Sequence, residues 1–159
     1  MTLQLWGRPS SARTQKVMLA LSELNLTYEF IKASATMGPK GSVSRGKTPY
    51  GIVNTTEYLE KNPNGTIPTI SDEGFILWES NAIVQYLGMK YNPKLFYDAN
   101  IETFASASRW MMWENNQLIP PMHDLAKHLY RLPENQRDED VVRTSKEKLF
   151  LEFQKVEVQ

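Results

Sequence analysis

The chain has no cysteine among its 159 residues, and that absence removes two chemistries at once. No protein thiol is present to act as a nucleophile or to exchange disulfides, and no thiolate set is present to hold a metal. It also fits a reducing compartment, so the expected location is cytoplasmic. Histidine is almost missing: His123 and His128 are the only two, they read as surface residues, and no metal is expected. A charge excess of either sign is missing too. Eighteen basic residues balance eighteen acidic ones, whereas nucleic-acid binding normally shows as a basic excess. No apolar run approaches the length of a membrane span, and the N-terminus lacks a signal-peptide pattern. Neither nucleic acid nor membrane is an expected partner. What remains is ordinary globular material. The hydrophobic fraction is 41%, and a chain of this length buries about two-thirds of its unfolded surface, enough for one good core or two small ones.

The most informative stretch runs from Asn62 to Leu87, NPNGTIPTISDEGFILWESNAIVQYL. Asn62-Pro63-Asn64-Gly65 is a dense turn signal. Thr66-Ile67-Pro68-Thr69-Ile70 is β-branched and apolar and reads as a strand. Pro68 cannot donate to a ladder, so it belongs at a strand start or edge. A cis Ile67–Pro68 bond would turn the free backbone N–H and C=O outward, ready to pair with an extended peptide. Ser71-Asp72-Glu73-Gly74 reads as a turn and Phe75–Trp78 as a second strand. Glu79-Ser80 then opens a helix with Ala82, Ile83, Tyr86 and Leu87 on its apolar face. A helix start exposes unpaired N–H groups and a partial positive charge, which suit a carboxylate. The Ser80 hydroxyl adds a donor and the Glu79 carboxylate a negative charge, so the pair matches a free α-amino acid group. On residue type alone, the ordinary reading comes first, Ser80 as an N-cap and Glu79 as a first-turn acid.

The order of these parts changes the reading. Proline-start strand, hairpin, strand, Glu-Ser and helix in one run, with the words NPNGTIPTI and LWESNAIVQYL, resembles the glutathione-binding half of the cytosolic glutathione transferases. The resemblance implies glutathione as co-substrate, with Ile67, Pro68, Glu79 and Ser80 as its binding residues and Thr66 beside them. It also implies a small electrophilic second substrate and a homodimer.

The start of the chain supports that frame. Leu3–Trp6 reads as a strand, Ala12–Leu24 as a helix ended by Asn25, and Tyr28–Ile31 as a second strand. Strand, helix and strand at this spacing form a right-handed parallel crossover. With the later hairpin and helix, this gives a four-stranded mixed sheet, the thioredoxin-like arrangement of an α/β domain. Ser11 lies where the first strand meets the first helix. A bound thiol there would need stabilisation as thiolate rather than attack by serine. A free thiol has a pKa near 8.5, and lowering it by about two units takes roughly 2.7 kcal/mol. A hydrogen bond to a charged group supplies about 1.5–3 kcal/mol and a helix N-terminus about 0.3–1. In the serine-type members of the family the active serine precedes the first helix's valine by six positions. Val17 points back to Ser11 in that way, and Ser10 stays as the alternative. Ser11 also reads as a helix cap. Arg13 either contacts the peptide or holds Glu79, with a solvated face as the default for Arg13 and Lys16.

Ala33–Tyr50 is dense in glycine, serine and proline, with Lys40, Arg45 and Lys47 its only charges. It reads as a mobile, basic loop, and because the family's connection here is usually shorter the resemblance implies an insertion, either a lid for an anionic tripeptide or solvated chain. Thr55–Lys61 reads as a short helix with Tyr58 and Leu59 packing inward.

The expected organisation is a domain over 1–90, a linker over 91–98 and a partial all-helical domain over 99–159. Ile101–Leu118 reads as one helix that Pro120-Pro121 breaks or kinks, Met122–Leu132 as its continuation, and Asp138–Val156 as a last helix with Val142, Leu149, Phe153 and Val156 inward. Arg109-Trp110-Met111-Met112-Trp113 resembles a word from the family's first all-helical segment. Met112 and Trp113 therefore stand either as core or as lining of the electrophile pocket. The family's helical domain normally continues through further helices, so the chain reads as a fragment or a naturally short form. Two functional readings follow: a transferase that joins glutathione to an electrophile, and a glutathione-binding scaffold without turnover. The missing cysteine opposes thiol–disulfide exchange.

Overall fold

The computed structural model describes residues 3–34, 44–45, 48–49, 52–94, 98 and 100–157. These fall in two compact units, the first running to Phe104 and the second beginning at Ala105.

The first unit is built on a four-stranded mixed sheet. Strand β1 (Leu3–Gly7) leads through helix α1 (Ala12–Glu23) to β2 (Tyr28–Lys32), which pairs with β1 in parallel. Two short strands, β3 (Ser44–Arg45) and β4 (Thr48–Pro49), pair with each other outside that sheet. A 3-10 turn (Ile52–Asn54) and helix α2 (Thr56–Lys61) follow, then β5 (Thr69–Asp72), β6 (Phe75–Trp78) and helix α3 (Ser80–Tyr91). The strand order is β2-β1-β5-β6, with β5 antiparallel to both neighbours. This is the expected thioredoxin-like arrangement. The expectation of a mobile loop over 33–50 lies largely outside the described residues. Within them, Ala33 and Ser34 are buried, and Arg45 belongs to β3.

Alternation along β1 divides the core between the two sheet faces. Leu5 and its cross-strand partner Ile70 are fully buried, as are Val17 and Leu21 of α1 and Ile83 and Leu87 of α3. Trp6 joins the opposite side, a cluster with Ala33, Val53 and Tyr58 against which Ile31, Ile52 and Ile67 pack. Full burial of one such aliphatic side chain contributes about 1.5–3 kcal/mol, whereas an exposed ion pair contributes at most about 1. The apolar core therefore decides the stability of the unit. The apolar run Val17, Leu19, Ala20, Leu21 and Leu24 reads as one broad packing face of α1, but Leu19 is 63% exposed, and Leu59, expected inward, is 39% exposed.

The hairpin differs from expectation at both ends. The strand expected from Thr66 begins at Thr69, because Pro68 has no N–H and the Thr66 carbonyl is taken by side chains of α2 and the turn after it. Ser71 and Asp72 belong to β5, not to the turn, which is only Glu73 (φ 54°) and Gly74 (φ 90°). Two residues with positive φ between paired strands form the hairpin turn that matches strand twist. Asp72 is consequently buried. It accepts from Tyr86 Oη at 2.8 Å, Tyr91 Oη at 2.8 Å and Lys90 Nζ at 2.9 Å. Burial alone would raise its pKa. The hydrogen bonds from Lys90 and the two tyrosines outweigh burial and hold the carboxyl below the usual carboxylate range.

Helix α4 (Ile101–Trp113), which belongs to the second unit from Ala105 on, runs through a wide π-type segment, Glu114–Leu118, into α5 (Ile119–Ala126). A second such segment (Lys127–Arg131), a 3-10 turn (Glu134–Gln136) and α6 (Glu139–Glu157) complete it. Of the break or kink expected at the prolines, no break occurs: Pro120 and Pro121 sit in the first turn of α5 directly after the π-type segment, and the backbone is helical at Leu118, Ile119 and Lys127. Trp110 and Trp113 meet edge-on with ring centroids 5.2 Å apart, and Trp113 Nε1 donates to Glu152 Oε2 at 3.0 Å. Asp138 caps α6 by accepting from Asp140 N and Val141 N. Val142 and Leu149 are half-buried, but Phe153 is 51% and Val156 48% exposed, against expectation. An apolar stripe is buried only where another element lies over it, and no described element of this unit covers that end of α6. No helix among the described residues is long and apolar enough to cross a membrane.

Candidate functional site

One row of residues across the sheet gathers most of the candidate residues. Trp6 of β1 pairs with Thr69 of β5, and Thr69 pairs with Trp78 of β6. The chain leaves β1 just after this row towards Ser10 and Ser11. It enters β5 just before it from Thr66, Ile67 and Pro68, and leaves β6 just after it into Glu79 and Ser80. Strand polarity alone therefore brings three separated segments to one end of the sheet. Helices α1 and α3 both start there.

At the first segment the chain turns sharply, with Ser11 N donating to Arg8 O at 3.0 Å. Ser11 caps α1: its backbone is extended and its Oγ accepts from Thr14 N at 3.4 Å. A capping hydroxyl uses an oxygen lone pair, which leaves its hydrogen to donate elsewhere. Ser10 is exposed, and Arg13, in the first turn of the helix, is half-buried. Thr14 is fully buried beneath Gly7, and a Cβ at Gly7 would lie 2.5 Å from Thr14 Cγ2. That close approach sets how tightly the helix start seats on the strand end. Arg8 Nη1 donates to Ser34 Oγ at 2.8 Å, tying the turn to the exit of β2.

The second segment carries a cis Ile67–Pro68 bond. Behind it lies a buried polar group. Tyr58 Oη donates to Thr66 O at 2.6 Å and lies 2.9 Å from Thr69 Oγ1. Asn62 Nδ2 donates to Thr66 O at 2.9 Å and to Thr69 Oγ1 at 3.0 Å, while Asn62 Oδ1 accepts from Asn64 N at 3.1 Å. Burial pushes the Tyr58 hydroxyl above its ordinary pKa, against opposing hydrogen bonds from Thr69 and Asn62, so it stays neutral and donating. Gly65, at φ 58° with Val53 O 3.1 Å from where a Cβ would be, closes the turn as few other residues could.

At the third segment Glu79 occupies the cap position of α3 with φ 71° and ψ 110°, and its side chain makes no capping hydrogen bond. Its carboxylate is exposed, whereas the Ser80 side chain is buried at the first helical position. Ser80 is thus not the cap that residue type alone would have made it. Lys16 Nζ of α1 donates to Asn81 Oδ1 at 2.6 Å, joining the two helices near their starts. Together the three segments offer a serine hydroxyl at one helix N-terminus, an uncapped second N-terminus and an exposed carboxylate. Such a set suits an anionic peptide with one ammonium group.

Met112 and Trp113 belong to the second unit, Met112 66% exposed and Trp113 half-buried against Trp110. No group of three residues able to hold a metal occurs among the described residues. The sequence reading passed over the polar group behind Ile67. Tyr58 read only as packing, Asn62 as a turn residue and Lys16 as a solvated face. Turn-forming asparagine is usually exposed, so only the strict turn around it hinted that Asn62 is buried.

Residues 5–95 match the family model described as the glutathione S-transferase N-terminal domain. Glutathione S-transferase GstB of Escherichia coli strain K12 is 35% identical over 90% of this chain and 64% of its own length. A probable glutathione S-transferase of rice, GSTF2, is 27% identical over 77% of this chain and 51% of its own. Among solved structures, a theta class glutathione S-transferase from Xanthomonas axonopodis pv. citri, with glutathione bound, superposes with TM-score 0.75 at 30% identity. It covers 91% of this chain and 64% of that one. Glutathione S-transferase I from maize, in complex with an atrazine glutathione conjugate, gives TM-score 0.78 at 25% identity, over 99% of this chain and 69% of that one. The chain thus spans about 64% of the E. coli relative. With more than half of its length matched by one family model, the chain belongs to the glutathione S-transferase family.

Proposed function

We propose that the chain binds glutathione across the end of the sheet marked by Trp6, Thr69 and Trp78 and activates its thiol for transfer to a small electrophile. The convergence of the Ser11, Ile67–Pro68 and Glu79–Ser80 segments at that row carries the reading. The backbone of Ile67 pairs with the peptide of the ligand. Glu79 accepts from its ammonium, and Ser80 with the start of α3 receives its α-carboxylate. The thiol then reaches the start of α1, where the Ser11 hydroxyl donates to the thiolate while its oxygen still caps the helix. One charge-assisted hydrogen bond and one helix N-terminus supply about 2–4 kcal/mol together. That meets the roughly 2.7 kcal/mol needed to lower a thiol pKa by two units. The thiolate attacks the electrophilic carbon, a carbon–sulfur bond forms, and the leaving group departs with its electron pair or the adduct takes up a proton. The Xanthomonas structure with glutathione bound and the maize structure with an atrazine glutathione conjugate support this choice of ligand.

Ultraviolet difference titration of bound glutathione reads thiolate formation directly. A bound thiol pKa well below 8.5 in the wild type, rising by about one to two units in Ser11→Ala and unchanged in Ser10→Ala, is the expected result. Binding without any shift would replace the transferase by the scaffold reading. A shift that survives Ser11→Ala and is lost in Ser10→Ala would move the role to Ser10.

A further inference from the structure

We infer that Tyr58, Asn62 and Thr69 are positioning residues for the thiol peptide, acting through the backbone of Ile67. The inference rests on the reading that Ile67 pairs with glutathione, and extends it to side chains that do not touch the ligand.

All three side chains are nearly or fully inaccessible, with Tyr58 2% exposed and Asn62 and Thr69 0%. Apolar residues of similar size would fill the same space without the cost of desolvating an amide and two hydroxyls. Two of the three side chains instead converge on one target, the Thr66 carbonyl, which receives Tyr58 Oη at 2.6 Å and Asn62 Nδ2 at 2.9 Å, and Thr69 Oγ1 bonds both donors from behind. That carbonyl belongs to the peptide unit whose N–H is that of Ile67. Two donors on one side of a planar peptide fix the plane and therefore fix where the opposite N–H points.

The donors are themselves ordered as a chain. Since the single hydrogen of Tyr58 goes to Thr66 O, the 2.9 Å contact between Tyr58 Oη and Thr69 Oγ1 is a donation by Thr69. Thr69 Oγ1 in turn accepts from Asn62 Nδ2 at 3.0 Å. Asn62 Oδ1 accepts from Asn64 N at 3.1 Å, so one amide spans the turn before the loop and the strand after it. Each bond polarises the next, and the chain is closed off from water. The Ile67 side chain packs against the Trp6, Ala33, Val53 and Tyr58 cluster, which holds the same residue from its apolar side. Ile67 is therefore fixed at both its peptide plane and its side chain before any ligand arrives. The ordering cost that would otherwise fall on binding is met during folding.

The test compares Tyr58→Phe, Thr69→Val and Thr69→Ser with the wild type and with Ser11→Ala. For each, calorimetry gives the glutathione Kd, difference titration gives the bound thiol pKa, and circular dichroism shows that the variant is folded at the working temperature. Tyr58→Phe and Thr69→Val are expected to raise Kd about five- to tenfold with the bound thiol pKa unchanged. Thr69→Ser, which keeps the hydroxyl, is expected to bind as the wild type does. Ser11→Ala is expected to show the opposite split, a raised thiol pKa with little change in a Kd measured at a pH below the bound thiol pKa, where the peptide binds as the thiol. Should Thr69→Val fail to fold, Tyr58→Phe carries the test alone. Wild-type binding with Kd unchanged in both hydroxyl-deleting variants would overturn the inference and leave the proposed function standing. Equal losses in Thr69→Ser and Thr69→Val would also overturn it, since packing and not the hydroxyl would be at work. No glutathione binding by the wild type would overturn both.

Discussion

Lys16 Nζ and Asn81 Oδ1, 65 positions apart in sequence, meet at 2.6 Å and fasten the second turn of α1 to the first turn of α3. The two helices whose N-termini form the proposed site are thereby held in one register. Lys16→Met should weaken glutathione binding about threefold to tenfold, a fraction of the about 1.5–3 kcal/mol that a hydrogen bond from a charged group contributes, because Lys16 acts on the site only through the helix packing. Lys16→Arg, which keeps both the charge and a donor, should retain most of the affinity. Calorimetric titration of the two variants beside the wild type checks this, and equal affinity in all three would remove the link from the site.

Glu79 holds a backbone conformation with φ 71° that residues bearing a Cβ rarely adopt. Strain of this kind costs on the order of 1–3 kcal/mol and is retained where surrounding structure fixes it. Glu79→Gly should therefore raise stability, by up to about 1 kcal/mol after loss of the favourable acid at the helix start. The same change should weaken glutathione binding by about tenfold or more, and Glu79→Gln should show the binding loss without the gain in stability. Thermal melting and calorimetry on one preparation separate the two effects.

Asp72 ties the β5–β6 hairpin to α3 through Tyr86, Tyr91 and Lys90. Because its folded pKa lies below the ordinary value, the carboxylate adds stability in full above about pH 4, and that contribution is lost as pH falls through the depressed folded pKa. Asp72→Asn should lose about 1.5–3 kcal/mol near neutral pH, the worth of hydrogen bonds to a charged acceptor. Its stability should also fall less steeply than that of the wild type between about pH 4 and pH 2. Urea unfolding across that range measures both, and parallel curves would contradict the assignment.

At the start of α1, a Cβ on Gly7 would sit 2.5 Å from Thr14 Cγ2 and 2.8 Å from Thr14 Oγ1. Thr14 is fully buried, so it cannot swing clear. Gly7→Ala should cost about 1–3 kcal/mol by overpacking. The double variant Gly7→Ala/Thr14→Ala should recover more than additivity of the single changes allows, as a double-mutant cycle by chemical denaturation would show.

The sequence carried the fold well where local and tertiary preferences agree. The βαβ start, the two-strand hairpin and α3 all announce themselves through periodicity, and Ser11, Pro68, Glu79 and Ser80 stand at element boundaries that turn and cap chemistry mark. It carried little where long-range partners decide. Asp72 looks like a turn acid because nothing within four residues explains its burial. Its partners Tyr86, Lys90 and Tyr91 lie 14 to 19 positions on. Asn62 looks like a turn former and is one, but its amide also serves Thr66 and Thr69. In the second unit the prolines suggested a break or a kink, and the helical backbone continues past them after π-type turns, so there is no break. Periodicity also placed Phe153 and Val156 inward, because a stripe of apolar residues shows which face is greasy without showing whether anything covers it.

Position 79 has a consequence for how such a sequence can change. The backbone there favours a residue without a side chain, while the proposed ligand requires an acid, so no substitution satisfies both demands better than the residue present. Variants screened only for survival on heating should accumulate glycine at this position, and variants screened for thiol transfer should keep the carboxylate. The two selections would drive one residue in opposite directions, and sequencing the survivors of each would show it.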